Sequence, residues 1–287
     1  MKKIVAILLV VALSLAMFAG CAAEKPEEKK LDKINIAYHT NLGGAAIVMA
    51  AKHTGLFEKY GFEPNFVGFT SGPVEVGAMA SGDIDYGYIG PGATSLAIQG
   101  KVDILTFEKM GDDEAIYTTN KTGIKTLADL KGKQIGTQLG TTGETVLNTA
   151  LKSVGLTAKD VKIVNMDMGT CVTAMISEQI DAVCVFSQYK NSVEQGLGDK
   201  MVKLAKTSDF SSLATPSSWI VTPDYLEKNK DQAVRFTALV IEAKEYYKLH
   251  LEEVVQWCSD FLKVPYETLL TSASGITIHT VEEYKKA

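Results

Sequence analysis

The chain has 287 residues, 46% of them hydrophobic, and its 34 acidic and 29 basic side chains leave a formal net charge of −5. That balance excludes a nucleic-acid binder, which needs clustered lysine and arginine, and the length suits one large domain or two ordinary ones. Of the four cysteines only Cys21 has a telling context; Cys171, Cys184 and Cys258 have no metal-like spacing and read as small buried hydrophobes.

The first element is MKKIVAILLVVALSLAMFAGC. Two lysines, an apolar run from Ile4 to Phe18 and small residues before Cys21 make the pattern of an export signal over residues 1–20. The run is shorter than the roughly 20 residues of a spanning helix. Its Phe-Ala-Gly-Cys ending resembles a bacterial lipobox, with Phe18 where leucine is usual, which implies lipidation at Cys21. Removal of Lys2 and Lys3 with the signal would lower the charge by two, from −5 to −7. Residues 21–32, charged and containing Pro26, read as a solvated tether.

From residue 33 onward one order of elements occurs twice. INIAY (34–38), a glycine-containing turn, the helical run to Gly55, FEPNFVGF, a loop and SGPVEVGAMASGDID lead to YGYIG. KQIGTQ (133–138), LGTTGETVLNTALKSVG, VKIVNM and MGTCVTAMISEQID lead to AVCVF. Ile47, Ala50 and Ala51, and likewise Val146, Ala150 and Leu151, recur on one helical face, with Gly55 and Gly155 where each helix should stop. The short β-branched runs are the pattern of buried parallel strands, so the chain reads as α/β. The phrase AMASGDID (78–85) returns as AMISEQID (174–181), which predicts scaffold without ligand contact and two similar lobes. The segment 101–119 is read as their connector. The domain reading is residues 33–110 and 209–287 for lobe one and 111–208 for lobe two: two parallel-type sheets with helices on both faces, joined by a two-crossing hinge.

In parallel sheets ligands bind beyond the carboxyl ends of strands, at helix N-termini. That rule selects His39, Thr40 and Asn41; Ser71 and Gly72; Gly90, Gly92 and Thr94 from lobe one, with Tyr88 joining them as an aromatic that flanks the loops. From lobe two it selects Gln138, Thr141, Thr142, Gly143 and Glu144, then Thr170, then Gln188 and Tyr189. Trp219 is added as an aromatic wall. Backbone N–H groups with Ser and Thr hydroxyls hold an anion without arginine, although helix capping uses the same residue types. The single arginine, Arg235, falls mid-helix in a segment placed away from the cleft. Glu144 either meets a ligand amine or steadies its own helix start.

The lipobox, SGDIDYGYIGPG (81–92) and GTTGETVLNTAL (140–151) together resemble bacterial ABC-transporter substrate-binding proteins of the group that binds taurine, alkanesulfonates, nitrate or thiamine-precursor pyrimidines. The resemblance spans about Ile34 to Leu270. It implies a type II periplasmic-binding-protein fold that closes on a small organic anion or zwitterion, sulfonate- or taurine-like, and delivers it to a membrane permease and its ATPase. The ligand's acidic group would sit on the loops of Ser71–Gly72, Gly90–Thr94 and Thr141–Gly143. It further implies a monomer, lipid-anchored outside the cell membrane or in the periplasm, that needs no cofactor. The departures are the lack of an arginine for a sulfonate and an end at Ala287, short of the extra C-terminal helices of many relatives. A pyrimidine ligand, a sensor role and an enzyme on the same fold remain open as alternatives. His39, His53, His250 and His279 are scattered, however, and no nucleophile elbow or P-loop occurs.

Overall fold

The computed structural model describes residues 30–111, 114–210, 216–273, 276–278 and 283, the side chains of 109–111, 187 and 188 excepted. The signal, Cys21 and most of the tether lie outside the described residues. Strand β1 (Asp32–His39), helices α1 (Leu42–His53) and α2 (Leu56–Lys59), strand β2 (Phe62–Phe69), α3 (Gly72–Ser81), β3 (Gly87–Ile89), α4 (Thr94–Ile98) and β4 (Asp103–Gly111) form the first run. The second is β5 (Ala115–Thr119), β6 (Gln134–Thr137), α5 (Thr142–Ser153), β7 (Lys162–Asn165), α6 (Met168–Ile176), β8 (Ala182–Val185), α7 (Ser187–Leu197) and β9 (Met201–Lys206). The last is β10 (Pro216–Val221), α8 (Pro223–Lys228), α9 (Lys230–Leu249), α10 (Leu251–Leu262), α11 (Tyr266–Ala273) and β11 (Ile276–Ile278).

These strands make two layers of one plan, the first a parallel pair and a four-stranded sheet joined by a single bridge, the second one five-stranded sheet. In the first, β2 and β1 pair in parallel, an Ile36–Tyr86 bridge leads to β3, and β10, β4 and β11 follow. In the second the order is β7, β6, β8, β5, β9. Each sheet is parallel at one end and carries one reversed inner strand, β10 against β3 and β4, and β5 against β8 and β9. The segment 101–119, read from sequence as a connector, contributes β4 and β5 to different sheets. Its charged residues conceal this, because Glu108 and Glu114 are both buried.

Helix α1 shows how the sequence sets the layers. All ten residues from Leu42 to Ala51 are buried, as expected of a helix that is apolar all round. It packs on β1 and is covered by α9 and α10. Its first turn touches the end of β1: a Cβ at Gly44 would overlap the His39 backbone. Phe236 of α9 stacks on Tyr86 at 3.9 Å and meets Trp219 at 5.8 Å; burying such a ring contributes about 1.5–3 kcal/mol. Arg235 donates to Asp32 Oδ2 at 2.7 Å and to the Tyr60 carbonyl at 2.8 Å, so the lone arginine fastens α9 to the first sheet.

The doubled phrase is a latch. In each copy the helix ends in a left-handed residue, Gly82 at φ 86° and Glu178 at φ 59°. The next N–H turns back to the helix: Asp83 bonds the Ala78 carbonyl and Gln179 bonds that of Ala174. Ile84 and Ile180 are then buried. The final aspartates grip the neighbouring strand at two points. Asp85 accepts from the Asn35 N–H at 2.7 Å and donates its own N–H to the Asn35 carbonyl. Asp181 does the same with Gln134, at 2.8 Å and 2.9 Å. The repetition follows from this geometry, since both sheets fasten a helix end to their first parallel strand with the same parts.

Candidate functional site

Helices α1, α3 and α5 all begin at carboxyl ends of strands, and their first turns meet at one cavity of about 170 Å³. At roughly 30 Å³ per water in the liquid, it has room for about half a dozen waters or a small organic molecule. Both sheets contribute walls: His39, Ser71, Tyr88 and Gly90 from the first, Glu114, Thr141, Thr142 and Phe186 from the second. The halves touch directly at the mouth. The Gly92 N–H donates to Thr142 Oγ1 at 3.4 Å, and a Cβ at Gly140 would lie 2.8 Å from Pro73 Cγ.

Half of the sequence candidates line the cavity: His39, Thr40, Asn41, Ser71, Gly72, Tyr88, Gly90, Thr141 and Thr142. Each has a local reason to be there. Asn41 Oδ1 caps α1 by accepting from the Gly44 N–H at 2.9 Å, and the Thr40 N–H is tied to the Phe69 carbonyl at the end of β2. Ser71 precedes α3, whose Pro73 suits a first turn. Its hydroxyl is buried and has no hydrogen-bond partner. Backbone N–H groups at such helix starts, with the positive end of the helix dipole, favour an anion.

The remaining candidates whose side chains are described lie off the cavity wall. Gly92 packs against Thr141 across the mouth, and Thr94 buries its hydroxyl beside it without a partner. The Gln138 carbonyl receives the Thr141 hydroxyl at 2.6 Å. Gly143 lies under Cys184, whose Sγ donates to its carbonyl at 3.0 Å. Glu144 accepts from the Gly140 N–H at 2.6 Å, the helix-start role among the two the sequence left open. The Thr170 hydroxyl is held by Asp167, the cap of α6. Tyr189 packs edge-on to Phe186 at 5.3 Å, and the side chain of Gln188 is outside the described residues. Trp219 is wholly buried behind Tyr88, 5.6 Å ring to ring, and donates to Glu108 Oε2 at 2.6 Å.

Sequence reading missed the buried carboxylates. Glu75 is fully buried on α3, accepts from the Tyr88 N–H, and has Oε2 3.2 Å from His39 Nε2 without hydrogen-bond alignment. Burial raises its carboxyl above the ordinary range, against the pull of His39. Glu108 lies beside Lys244, itself 1% exposed, whose Nζ donates to the Phe107 carbonyl at 3.2 Å. Burial lowers the Lys244 ammonium and Glu108 opposes that shift. Burial, with Glu108 next, also holds the Tyr88 phenol well above its usual range. Glu114, 6% exposed, lines the cavity and accepts from Thr207 Oγ1 at 2.8 Å. Val264, Thr268, Leu269, Ser272 and Ile276 form a further wall. Only the C-terminal return of the chain reveals it, and no local pattern marks it.

The family described as NMT1/THI5 like matches residues 44–253. A Brucella abortus (strain 2308) protein, named only as a candidate binding protein, is 34% identical over 254 residues, covering 88% of this chain and 79% of the relative. A taurine-binding periplasmic protein of Escherichia coli (strain K12) is 27% identical, covering 75% of this chain and 66% of its own length. Among solved structures, the periplasmic aliphatic sulphonate binding protein of Escherichia coli superposes with a TM-score of 0.69 at 22% identity, covering 89% of both chains. The fold of this chain is therefore the two-lobe α/β fold of periplasmic binding proteins.

Proposed function

The chain belongs to the NMT1/THI5-like family, and on that premise we propose that it is the extracytoplasmic solute-binding component of an ABC importer, a binder and not an enzyme. It captures a small organic solute with an acidic group, sulfonate- or taurine-like, and hands it to a membrane permease driven by an ATPase. Cys21 carries a lipid anchor after export, and the protein acts as a monomer. One observation carries the ligand class: three helix starts and the unpartnered Ser71 hydroxyl converge on a cavity walled by both lobes. A ligand held in this way bridges the lobes and favours their closed arrangement to the extent that it binds that arrangement better. The relatives named for taurine and sulphonate support the same class. Tyr88 and Phe186 on the wall favour a second reading, a flat heteroaromatic pyrimidine stacked on them.

The test is thermal unfolding of the soluble chain, residues 25–287, against sulfonates, amino sulfonates, nitrate and aminopyrimidines. A ligand at a hundred times its dissociation constant adds about 2.7 kcal/mol. At about 2 °C per kcal/mol, this is a rise of roughly 5 °C. A shift with sulfonates supports the proposal and a shift with pyrimidines alone supports the second reading. No shift with any of them would overturn both.

A further inference from the structure

We infer that His39, backed by the buried Glu75, is a proton-gated cation for the ligand's acidic group, so that the protein takes up a proton as the cavity binds an anion. The inference rests on the solute-binding reading and adds the means by which the site balances the ligand's charge.

Position gives the first argument. His39 ends β1 and lines the cavity, yet it is only 9% exposed and its Nε2 is buried. Behind it, from α3, stands Glu75, fully buried, with Oε2 3.2 Å from that nitrogen. Among the described residues neither atom has an aligned hydrogen bond, while the other Glu75 oxygen accepts from the Tyr88 N–H. Glu75 follows Ser71 by one helical turn, its N–H donating to the Ser71 carbonyl at 3.2 Å. The imidazole and carboxyl thus adjoin the helix start whose Ser71 hydroxyl is buried without a partner.

Charge gives the second argument. Among the described residues that line the cavity, His39 is the one basic side chain, with no lysine or arginine beside it. Holding one proton between them, His39 and Glu75 are neutral as a pair, whichever group carries it; holding two, they are a cation. An anion in the cavity favours the cation. Burial, which raises the Glu75 carboxyl, lets that group keep its proton while the imidazole carries the other. The neighbouring groups do not supply the missing charge. Tyr88 meets the His39 ring edge-on at 5.2 Å from β3, and its phenol, held well above the usual range, stays neutral. Beyond it Glu108 faces Trp219 and Lys244. Glu114, on the opposite lobe and bonded to Thr207, brings no positive charge, and α1 brings no acidic residue in its first turn.

Titration calorimetry on the wild-type protein tests this with ethanesulfonate and 2-aminoethanesulfonate, whose sulfonate groups stay ionised throughout. Binding enthalpy is compared in phosphate and in Tris at one pH near neutrality, because a proton drawn from the buffer adds that buffer's ionisation enthalpy. About half a proton or more should be taken up per ligand. Affinity should fall as pH rises, by about tenfold per pH unit where uptake is complete, because the bound state holds the extra proton. His39→Gln leaves the Glu75 carboxyl to burial alone, protonated with and without ligand, and should abolish the uptake and flatten the pH profile. Equal enthalpies in the two buffers, or uptake that persists in a folded His39→Gln variant, would overturn the inference while leaving sulfonate binding intact. Failure of both sulfonates to bind would overturn the ligand class as well. The wild-type comparison decides the matter even if the variant does not fold.

Discussion

Substitution of Gly92 by alanine isolates lobe closure from folding. A Cβ at Gly92 would lie 1.9 Å from the Thr141 carbonyl carbon, whereas ordinary contact begins at 3.4 Å, so the facing backbone must retreat by the difference, 1.5 Å. Gly92 and Thr141 belong to different lobes, and the retreat is therefore an opening movement. The φ of Gly92 lies outside the left-handed region, so alanine brings no backbone strain of its own. Overpacking of this kind costs about 1–3 kcal/mol. At the upper figure, with 1.4 kcal/mol per decade, the closed state becomes about a hundredfold rarer and apparent affinity falls by the same factor. Calorimetric titration with whichever compound stabilises the wild type should show that loss, while the ligand-free unfolding midpoint stays within about 2 °C. Gly77→Ala is the control. It lies inside α3 with nothing within 4 Å of its Cβ, and it should gain about 0.5–1 kcal/mol with no change in binding. Affinity of Gly92→Ala within threefold of wild type would refute the seam as a determinant of closure.

Three further outcomes are expected. Asp85→Ala and Asp181→Ala each remove the acceptor for a strand N–H and should cost about 1–3 kcal/mol at the half-buried Asp85 bond and about 0.5–1.5 kcal/mol at the exposed Asp181 bond, a midpoint drop of about 2–4 °C per kcal/mol, with the dissociation constant unchanged; weakened binding at an unchanged midpoint would contradict the latch. Burial raises the Glu75 carboxyl, so above the ordinary carboxylate range the native state holds more protons than the unfolded chain, and its contribution to stability is lost as pH rises. Glu75→Gln should therefore gain stability relative to wild type in urea titrations from about pH 5 to about pH 8, and a constant difference would count against this account. Cys171, Cys184 and Cys258 are buried thiols outside any disulfide among the described residues, with burial pushing the Cys171 thiol up to about 11 and Cys184 higher still. A thiol reagent should label none of them in the folded protein and all three in denaturant, whereas fast native labelling of Cys184 would show that the packing is wrong.

The parts of the site legible in the sequence are those whose signals are local. A glycine or hydroxyl after a β-branched run marks a strand's carboxyl end, and this was enough to find His39–Asn41, Ser71–Gly72 and Thr141–Thr142. Glu114 sits in the run GDDEA, which locally reads as a solvated turn. Its burial arises only when β5 slots between β8 and β9, a tertiary event. Glu75 meets His39 across two elements, so neither residue announces the other. Trp219 lies wholly buried behind Tyr88 because β10 is an inner strand between β3 and β4, a tertiary arrangement that no local pattern marks.

The order of strands also sets an order of events in time. The second lobe, from β5 to β9, is one uninterrupted length of chain, whereas the first lobe waits for β10, α9 and α10 from beyond residue 215. A ribosome releasing the chain from its N-terminus supplies β1, α1 and β2 first. It cannot yet supply the helices that cover α1 or the inner strand between β3 and β4. The second lobe therefore has all its parts while the first still shows its apolar helix to water. The largest hydrophobic cluster among the described residues is thus completed only by the last elements of the chain, and with it the lobe that supplies one wall of the cavity.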